Sequence, residues 1–188
     1  MLPLMVDVRQ LPIAVVGNSF AAAHRLRTLA RSGAKKVFVF SPEPEAEVIK
    51  LAGDTLKRRL PTEIDFTENN FRVVYVCDID ETDTLNIIDW THDNYALVNV
   101  HDRQEFCDFH MPAILRRGDL QVTVSTGGRV AGLSRILRDH LRDTVLGPEW
   151  GDRVHELGEY RDSLVVKRRP FSELKMKIED FVKLKKWL

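Results

Sequence analysis

Ile13-Ala14-Val15-Val16-Gly17-Asn18-Ser19-Phe20-Ala21-Ala22 is the stretch on which the fold turns. Its first four residues are apolar and mostly β-branched, and they stop at a glycine, which reads as a buried parallel strand. From Ala21 to Ser32 the pattern becomes helical. Ala22, Leu26, Leu29 and Ala30 recur at spacings of three and four, and Gly33 stands where a helix C-cap belongs. Lys36-Val37-Phe38-Val39-Phe40 is a second strand, closed by Ser41-Pro42-Glu43-Pro44. Strand, helix and strand together fill about 30 residues, the length of a βαβ crossover.

In such a unit the first turn is where a glycine fingerprint, G-x-G-x-x-G/A, brings a pyrophosphate against the backbone and the helix N-terminus. Gly17 and Ala22 hold its first and third positions, while Ser19 holds the second. The Ser19 Cβ stands where phosphate would pass, and its hydroxyl offers a hydrogen-bond donor in exchange. The ribose-binding acid expected about 20 residues further on is replaced by Phe40-Ser41-Pro42, with Glu43 following. These residues alone leave two readings open with equal weight, a dinucleotide turn and a plain strand–helix turn.

Working outward, Glu45 to Leu56 reads as a helix with Val48, Leu51, Ala52 and Leu56 inward. Arg72–Cys77 is a third strand, Asp83–Asn94 a helix covering the sheet with Leu85, Ile88 and Trp90, and Tyr95–Val100 a fourth strand. Leu120–Ser125 is a fifth, alternating as a strand solvated on one face does. Strands alternating with helices imply a mainly parallel sheet covered on both faces. After Gly127-Gly128 the chain turns helical: Ala131–Val145, with Leu133, Ile136, Leu137, His140 and Leu141 on one side, then Asp152–Ser163 and Ser172–Leu188, divided at Arg169-Pro170. The fold class is therefore α/β, a Rossmann-like mainly parallel sheet with a C-terminal helical region. Three parts are expected: a nucleotide-binding domain over 1–112, a dimerisation region over 113–147 and a C-terminal helical domain over 148–188.

Composition narrows the function classes. The 188 residues carry 28 Lys+Arg against 28 Asp+Glu, a formal net charge of zero, which gives no reason to expect nucleic acid as partner. A run of basic residues, Lys167, Arg168, Arg169, Lys175, Lys177, Lys183, Lys185 and Lys186, reads as a solvated helix face. Cys77 and Cys107 are too few for a metal motif or a disulfide framework. No apolar run reaches the roughly 18 residues that span a bilayer, and no signal peptide is read at the start. A cytoplasmic setting is expected.

The order of motifs resembles the precorrin-2 dehydrogenase/sirohydrochlorin ferrochelatase family, the siroheme-synthase N-terminal type. The resemblance runs from about Leu11 to about Val166. It rests on the opening turn, on Asp83-Thr84-Leu85-Asn86, on Asn99-Val100-His101-Asp102 followed by Phe109-His110-Met111-Pro112-Ala113-Ile114, and on Val122-Thr123-Val124-Ser125-Thr126-Gly127-Gly128 leading into Leu133-Ser134-Arg135-Ile136-Leu137-Arg138. The resemblance implies oxidation of precorrin-2 to sirohydrochlorin with NAD as hydride acceptor, insertion of Fe2+ as a second activity, a tetrapyrrole substrate and a homodimer. No fused methyltransferase domain is expected.

It also implies sites. The family's catalytic aspartate falls on Asp102, and its nucleotide contacts on Gly17, Asn18, Ser19, Phe20, Ala21, Ser41, Pro42 and Glu43. Substrate contacts fall on Ser125, Thr126, Gly127, Gly128 and Arg129. Arg129 stands where small polar residues are usual, and its planar guanidinium suits a tetrapyrrole carboxylate. Apart from the resemblance, Asp102 reads as a loop cap. His92, His101 and His110 match no metal-ligand spacing; His101 and His110 flank Asp102 and are kept with it as candidate iron or proton handlers. The departures at Ser19 and Phe20 keep a second reading open, a homologue without dehydrogenase activity that chelates metal only or binds a tetrapyrrole in a regulatory role.

Overall fold

The computed structural model describes residues 2–166 and 170–188, so Lys167, Arg168 and Arg169 lie outside the described residues. The chain divides into two compact units, Met1–His110 and Met111–Leu188.

In the first unit β1 (Pro12–Gly17), α1 (Phe20–Arg31) and β2 (Lys36–Phe40) form the expected crossover. They are followed by α2 (Ala46–Ala52), β3 (Leu56–Lys57), α3 (Glu63–Asn69), β4 (Val73–Cys77), α4 (Glu81–Asp93) and β5 (Leu97–Val100). The strands make one sheet in the order β3-β2-β1-β4-β5, parallel at every pairing. The chain reverses direction across the sheet between β1 and β4, and ligands of open α/β sheets bind at the strand ends beside such a switch point.

One face of the sheet is sealed by Ala14, Val16, Phe40, Val74, Val76, Val98 and Val100 against Phe66, Phe71, Ile87 and Ile88. Phe71 organises it, meeting the rings of Phe38, Phe40 and Phe66 edge-on at 5.3, 6.1 and 5.4 Å, the arrangement that aromatic quadrupoles favour. On the other face α1 buries Ala21, Ala22, Ala23, Leu26 and Leu29. Three successive alanines let its backbone lie close to the strands.

The structure corrects four expectations. The helix expected over Glu45–Leu56 stops at Ala52, because Gly53 takes φ 52 and turns the chain. Leu56 is not on a helix face: it starts β3 and pairs with Val39. Leu51 and Leu85, expected inward, are exposed, whereas Ile87 is buried beside Ile88. Leu120–Val124 is not a fifth parallel strand. As β7 it pairs antiparallel with β6 (Ala113–Arg117) in a separate two-stranded sheet. Gly118-Asp119 makes the connecting turn, with Gly118 at φ 55, a two-residue hairpin signal within the sequence.

An ion network unread in the sequence fixes the edge of the first sheet. Asp65 on α3 is buried and accepts from Arg59 at 2.6 and 2.7 Å, from Lys57 at 3.1 Å and from the Thr62 amide at 2.8 Å. The Arg59 guanidinium above all, with Thr62 and Lys57, holds the Asp65 carboxyl well below the usual carboxylate range, against the opposing effect of burial. Asp65→Asn is expected to cost about 2–3 kcal/mol at neutral pH, the worth of hydrogen bonds to a charged group. Because the folded-state pKa is depressed, this stabilisation is present above about pH 4 and lost as pH falls toward the folded value. Urea unfolding of both proteins at pH 7 and pH 3 checks it: the gap should narrow at pH 3.

In the second unit the β6–β7 hairpin is followed by α5 (Ala131–Thr144), α6 (Trp150–Val166) and α7 (Phe171–Leu184). Tyr160 of α6 stacks on Phe181 of α7 at 4.5 Å, and Phe181 meets Trp187 at 5.6 Å. The stripe expected on α5 is present but uncovered. Leu133 is 43% exposed, Ile136 64% and Leu137 42%, while Ser134 is the residue that α5 buries.

Candidate functional site

Parallel register brings Gly17, Cys77 and the end of β5 to one edge of the sheet. Gly17 takes φ +145, and a Cβ there would lie 2.2 Å from the Cys77 carbonyl oxygen. Close approach of β4, as well as any ligand, therefore requires this glycine. Ser19 is the N-cap of α1: its Oγ accepts from the Ala21 amide at 3.2 Å and its carbonyl from the Ala23 amide at 3.1 Å. Among the described residues no acceptor answers the amides of Phe20 and Ala22. Unanswered first-turn amides with the helix dipole behind them form an anion cradle.

The sequence suggested that the Ser19 hydroxyl could donate to a phosphate. In the structure it donates to Asp78 Oδ2 instead. Asp78 follows β4 in the left-handed region, φ 52, and places a carboxylate beside the cradle. Phe20 is 65% exposed, with the Arg27 guanidinium 5.1 Å from its ring centre. Its ring therefore turns away from the strands.

Asn18 joins the two halves of the expected nucleotide site. Its Oδ1 accepts from the Ser41 hydroxyl at 2.7 Å and from the Glu43 amide at 3.1 Å, and its carbonyl accepts from the Glu45 amide at 3.0 Å. Gly17–Ala21 and Ser41–Glu43, separated in sequence by α1 and β2, thus form one hydrogen-bonded rim. Ser41 is fully buried, whereas Pro42 and Glu43 are exposed. The residues fit a dinucleotide: amides, glycine and rim are in place, with the Asp78 carboxylate set against a pyrophosphate.

Asp102 stands at the same edge, two residues past β5, with its side chain 89% exposed and φ 57. His101 Nδ1 lies 3.7 Å from its carboxylate. The loop that carries Asp102 is closed on β5 by residues the sequence did not single out. Asp108 Oδ2 accepts from the Val98 amide at 2.8 Å while the Asp108 amide donates to the Val98 carbonyl at 2.9 Å. Cys107 Sγ accepts from the Val100 amide at 3.3 Å. Asn99 donates to the Phe109 carbonyl at 2.9 Å and accepts from Arg25 of α1 at 3.1 Å. Burial pushes the Cys107 thiol up and the Cys77 thiol up to about 12, so both are neutral packing groups at pH 7. Only the sequence neighbours Asn99-Val100 hinted at this set; the Arg25–Asn99 bond spans two strands and could not be read from spacing.

His92, weighed as a metal ligand, bonds Asp108 Oδ2 at 3.1 Å. Among the described residues no three His, Cys, Asp or Glu side chains gather to hold a metal ion, so His101, Asp102 and His110 do not form a preformed cage within the chain. Burial, then Arg25, Arg27, Arg31 and His101, keeps His24 of α1 below the ordinary histidine range.

Within the second unit Ser125–Arg129 form the turn from β7 to α5. Gly127 and Gly128 take φ 63 and 86, a conformation glycine adopts without strain. Ser125 Oγ accepts from the Gly127 amide at 3.1 Å, and Thr126 Oγ1 from the Val130 amide at 3.0 Å. Arg129 is exposed.

Residues 4–113 match the model of the family described as "Putative NAD(P)-binding". The chain belongs to that family. Among curated proteins it is 32% identical to a siroheme synthase of Sodalis glossinidius over 82% of this chain and 35% of the relative. It is 28% identical to a siroheme synthase of Neisseria meningitidis over 91% of this chain and 35% of the relative. The chain thus spans about a third of the length of these relatives. Among solved structures it superposes on a chain titled "SirC, precorrin-2 dehydrogenase" with a TM-score of 0.78 at 21% identity, over 100% of this chain and 92% of that one. The resemblance read from the motifs and the Rossmann-like fold class are borne out by these likenesses.

Proposed function

We propose that this NAD(P)-binding family member oxidises precorrin-2 to sirohydrochlorin with NAD. The observation that carries the reading is the shared sheet edge, where an amide cradle after β1 and an exposed carboxylate after β5 stand at the same ends of parallel strands, with β4 between them. NAD, when bound, supplies the hydride acceptor. The chain supplies the rest. The amides of Phe20 and Ala22 receive pyrophosphate, Asn18 holds the rim, and Asp102 takes the proton that the macrocycle loses. Arg129 and the Ser125–Gly128 turn receive tetrapyrrole carboxylates; open space around a Gly127 Cβ supports a ligand approaching the backbone there. Insertion of Fe2+, with Asp102, His101 and His110 handling the metal or the displaced pyrrole protons, is the second activity of this reading. Similarity to biosynthetic enzymes supports a cytoplasmic setting; among the described residues no helix is long and apolar enough to cross a membrane. The uncovered α5 stripe supports a homodimer formed through residues 113–147, with 148–188 as a C-terminal helical domain.

One observation favours the reading without dehydrogenase activity: Ser19 is fully engaged and Asp78 opposes phosphate. The test is NAD binding by titration calorimetry with a thermal-shift control, since a ligand of the native state must raise its stability. Binding in the micromolar to millimolar range supports the dehydrogenase, and absence of heat and shift supports the chelatase or regulatory reading. Ser19→Gly frees the Ala21 amide and removes the Cβ at little cost to the cap. It is expected to tighten NAD binding about three- to tenfold, the worth of one recovered hydrogen bond. An unchanged or weakened affinity would place Ser19 outside the phosphate path.

A further inference from the structure

Arg25 follows the buried Ala22 and precedes the buried Leu29 on α1 at helical spacing, so its side chain leaves from the edge of the face that packs on the sheet. Its guanidinium donates to Asn99 Oδ1 at 3.1 Å and lies 5.6 Å from the centre of the Tyr75 ring. Tyr75 on β4 and Asn99 on β5 are register partners, and both are buried. Val74, Val76, Val98 and Val100 fill the opposite core, so alternation sets Tyr75 and Asn99 on the α1 side. Phe109 closes edge-on against Tyr75 at 5.6 Å.

These partners are neutral. Arg25 is half-buried, and among the described residues no carboxylate stands within ion-pair distance of it. The Cys77 thiol beside it is neutral at pH 7 as well. A guanidinium drawn out of water without a counter-charge is costly, and Asn99 takes only part of its N–H donors. The position gives that charge a use. Asn99 stands three residues before Asp102. His24, the neighbour of Arg25 on α1, feels the charge of His101, whose ring nitrogen lies 3.7 Å from the Asp102 carboxylate. Two adjacent residues of α1 thus face the end of β5, one of them an unneutralised cation beside the proposed proton acceptor.

We infer that Arg25 receives a carboxylate side chain of the tetrapyrrole and so holds the macrocycle against the Asp102 end of β5. This rests on the tetrapyrrole reading of the same sheet edge. A guanidinium offers a carboxylate paired donors and full charge, and the incoming anion supplies the counter-charge that the chain withholds.

Binding of sirohydrochlorin, followed by its fluorescence, and of NAD, followed by calorimetry, is measured on the full chain, wild type, Arg25→Gln and Arg25→Met. The two neutral variants differ in shape, and the loss is read on whichever keeps the wild-type circular dichroism and Tm. Sirohydrochlorin should bind the variant about tenfold or more weakly, with NAD within about twofold of wild type. Unchanged sirohydrochlorin affinity overturns the inference and leaves the tetrapyrrole site standing. An equal loss for NAD and sirohydrochlorin, or failure of both variants to fold, makes Arg25 a strut between α1 and β5 and overturns it too. A wild type that binds no sirohydrochlorin overturns the tetrapyrrole reading itself and the inference with it.

Discussion

Asp102→Asn is expected to lower precorrin-2 oxidation by about 10²–10⁴-fold, the usual worth of a positioned general base, while leaving the fold and nucleotide affinity unchanged. Asparagine is the informative substitution because Asp102 sits at φ 57, a region that Asn tolerates and Ala enters only with strain. The loss then reports the carboxylate and not the loop. The loop itself is held by Asn99, Cys107 and Asp108 rather than by the exposed Asp102 side chain. Asp102→Ala should lose as much activity, with a small added cost in stability. His101→Ala and His110→Ala should cost much less. Sirohydrochlorin formation followed by absorbance, with circular dichroism as the fold control, checks the set. Wild-type turnover in Asp102→Asn would reduce this aspartate to a loop residue.

The second large effect concerns assembly. Leu133, Ile136 and Leu137 stand exposed at helical spacing on α5. Burying a side chain of this size is worth about 1.5–3 kcal/mol, and a C₂ interface uses each position twice. Ile136→Asp both removes that burial and sets two carboxylates toward one another. It is expected to weaken a dimer by at least about a hundredfold and to give monomers in light scattering at micromolar concentration. A wild-type monomer at the same concentration, or a dimer undisturbed by Ile136→Asp, would show that this stripe is not the interface.

How far the sequence carried the reading depended on whether a signal was local. The β1–α1–β2 unit was legible because Ile13–Val16 and Val37–Phe40 are unbroken apolar runs and Ala22, Leu26 and Leu29 keep strict helical spacing. Leu56-Lys57 was not, since two residues carry no period, and the preceding helical pattern ran across Gly53 and absorbed Leu56. Leu120–Val124 was legible as a strand, but its partner was not. Alternation says which face is wet; only the Gly118-Asp119 turn says that the neighbour is antiparallel. At the site, Gly17, Ser19 and Ser41 were found through the turn and the motifs that resemble the family. Their partners were hidden, because Asp78 lies one strand away from Ser19, and Arg25 meets Asn99 across the sheet. The Ser19–Asp78 bond changes the physical account most, since it turns a supposed phosphate donor into a group already in use.

In the proposed function this sheet edge moves a hydride from the tetrapyrrole to the nucleotide. The most direct measurement is anaerobic incubation of the purified full chain with precorrin-2 and NAD, recording NADH and sirohydrochlorin together. Hydride and proton loss from one macrocycle requires one NADH for each sirohydrochlorin formed, at a rate that Asp102→Asn abolishes. Folded protein that yields neither product, or sirohydrochlorin that accumulates without NADH and at the same rate in Asp102→Asn, would contradict the account.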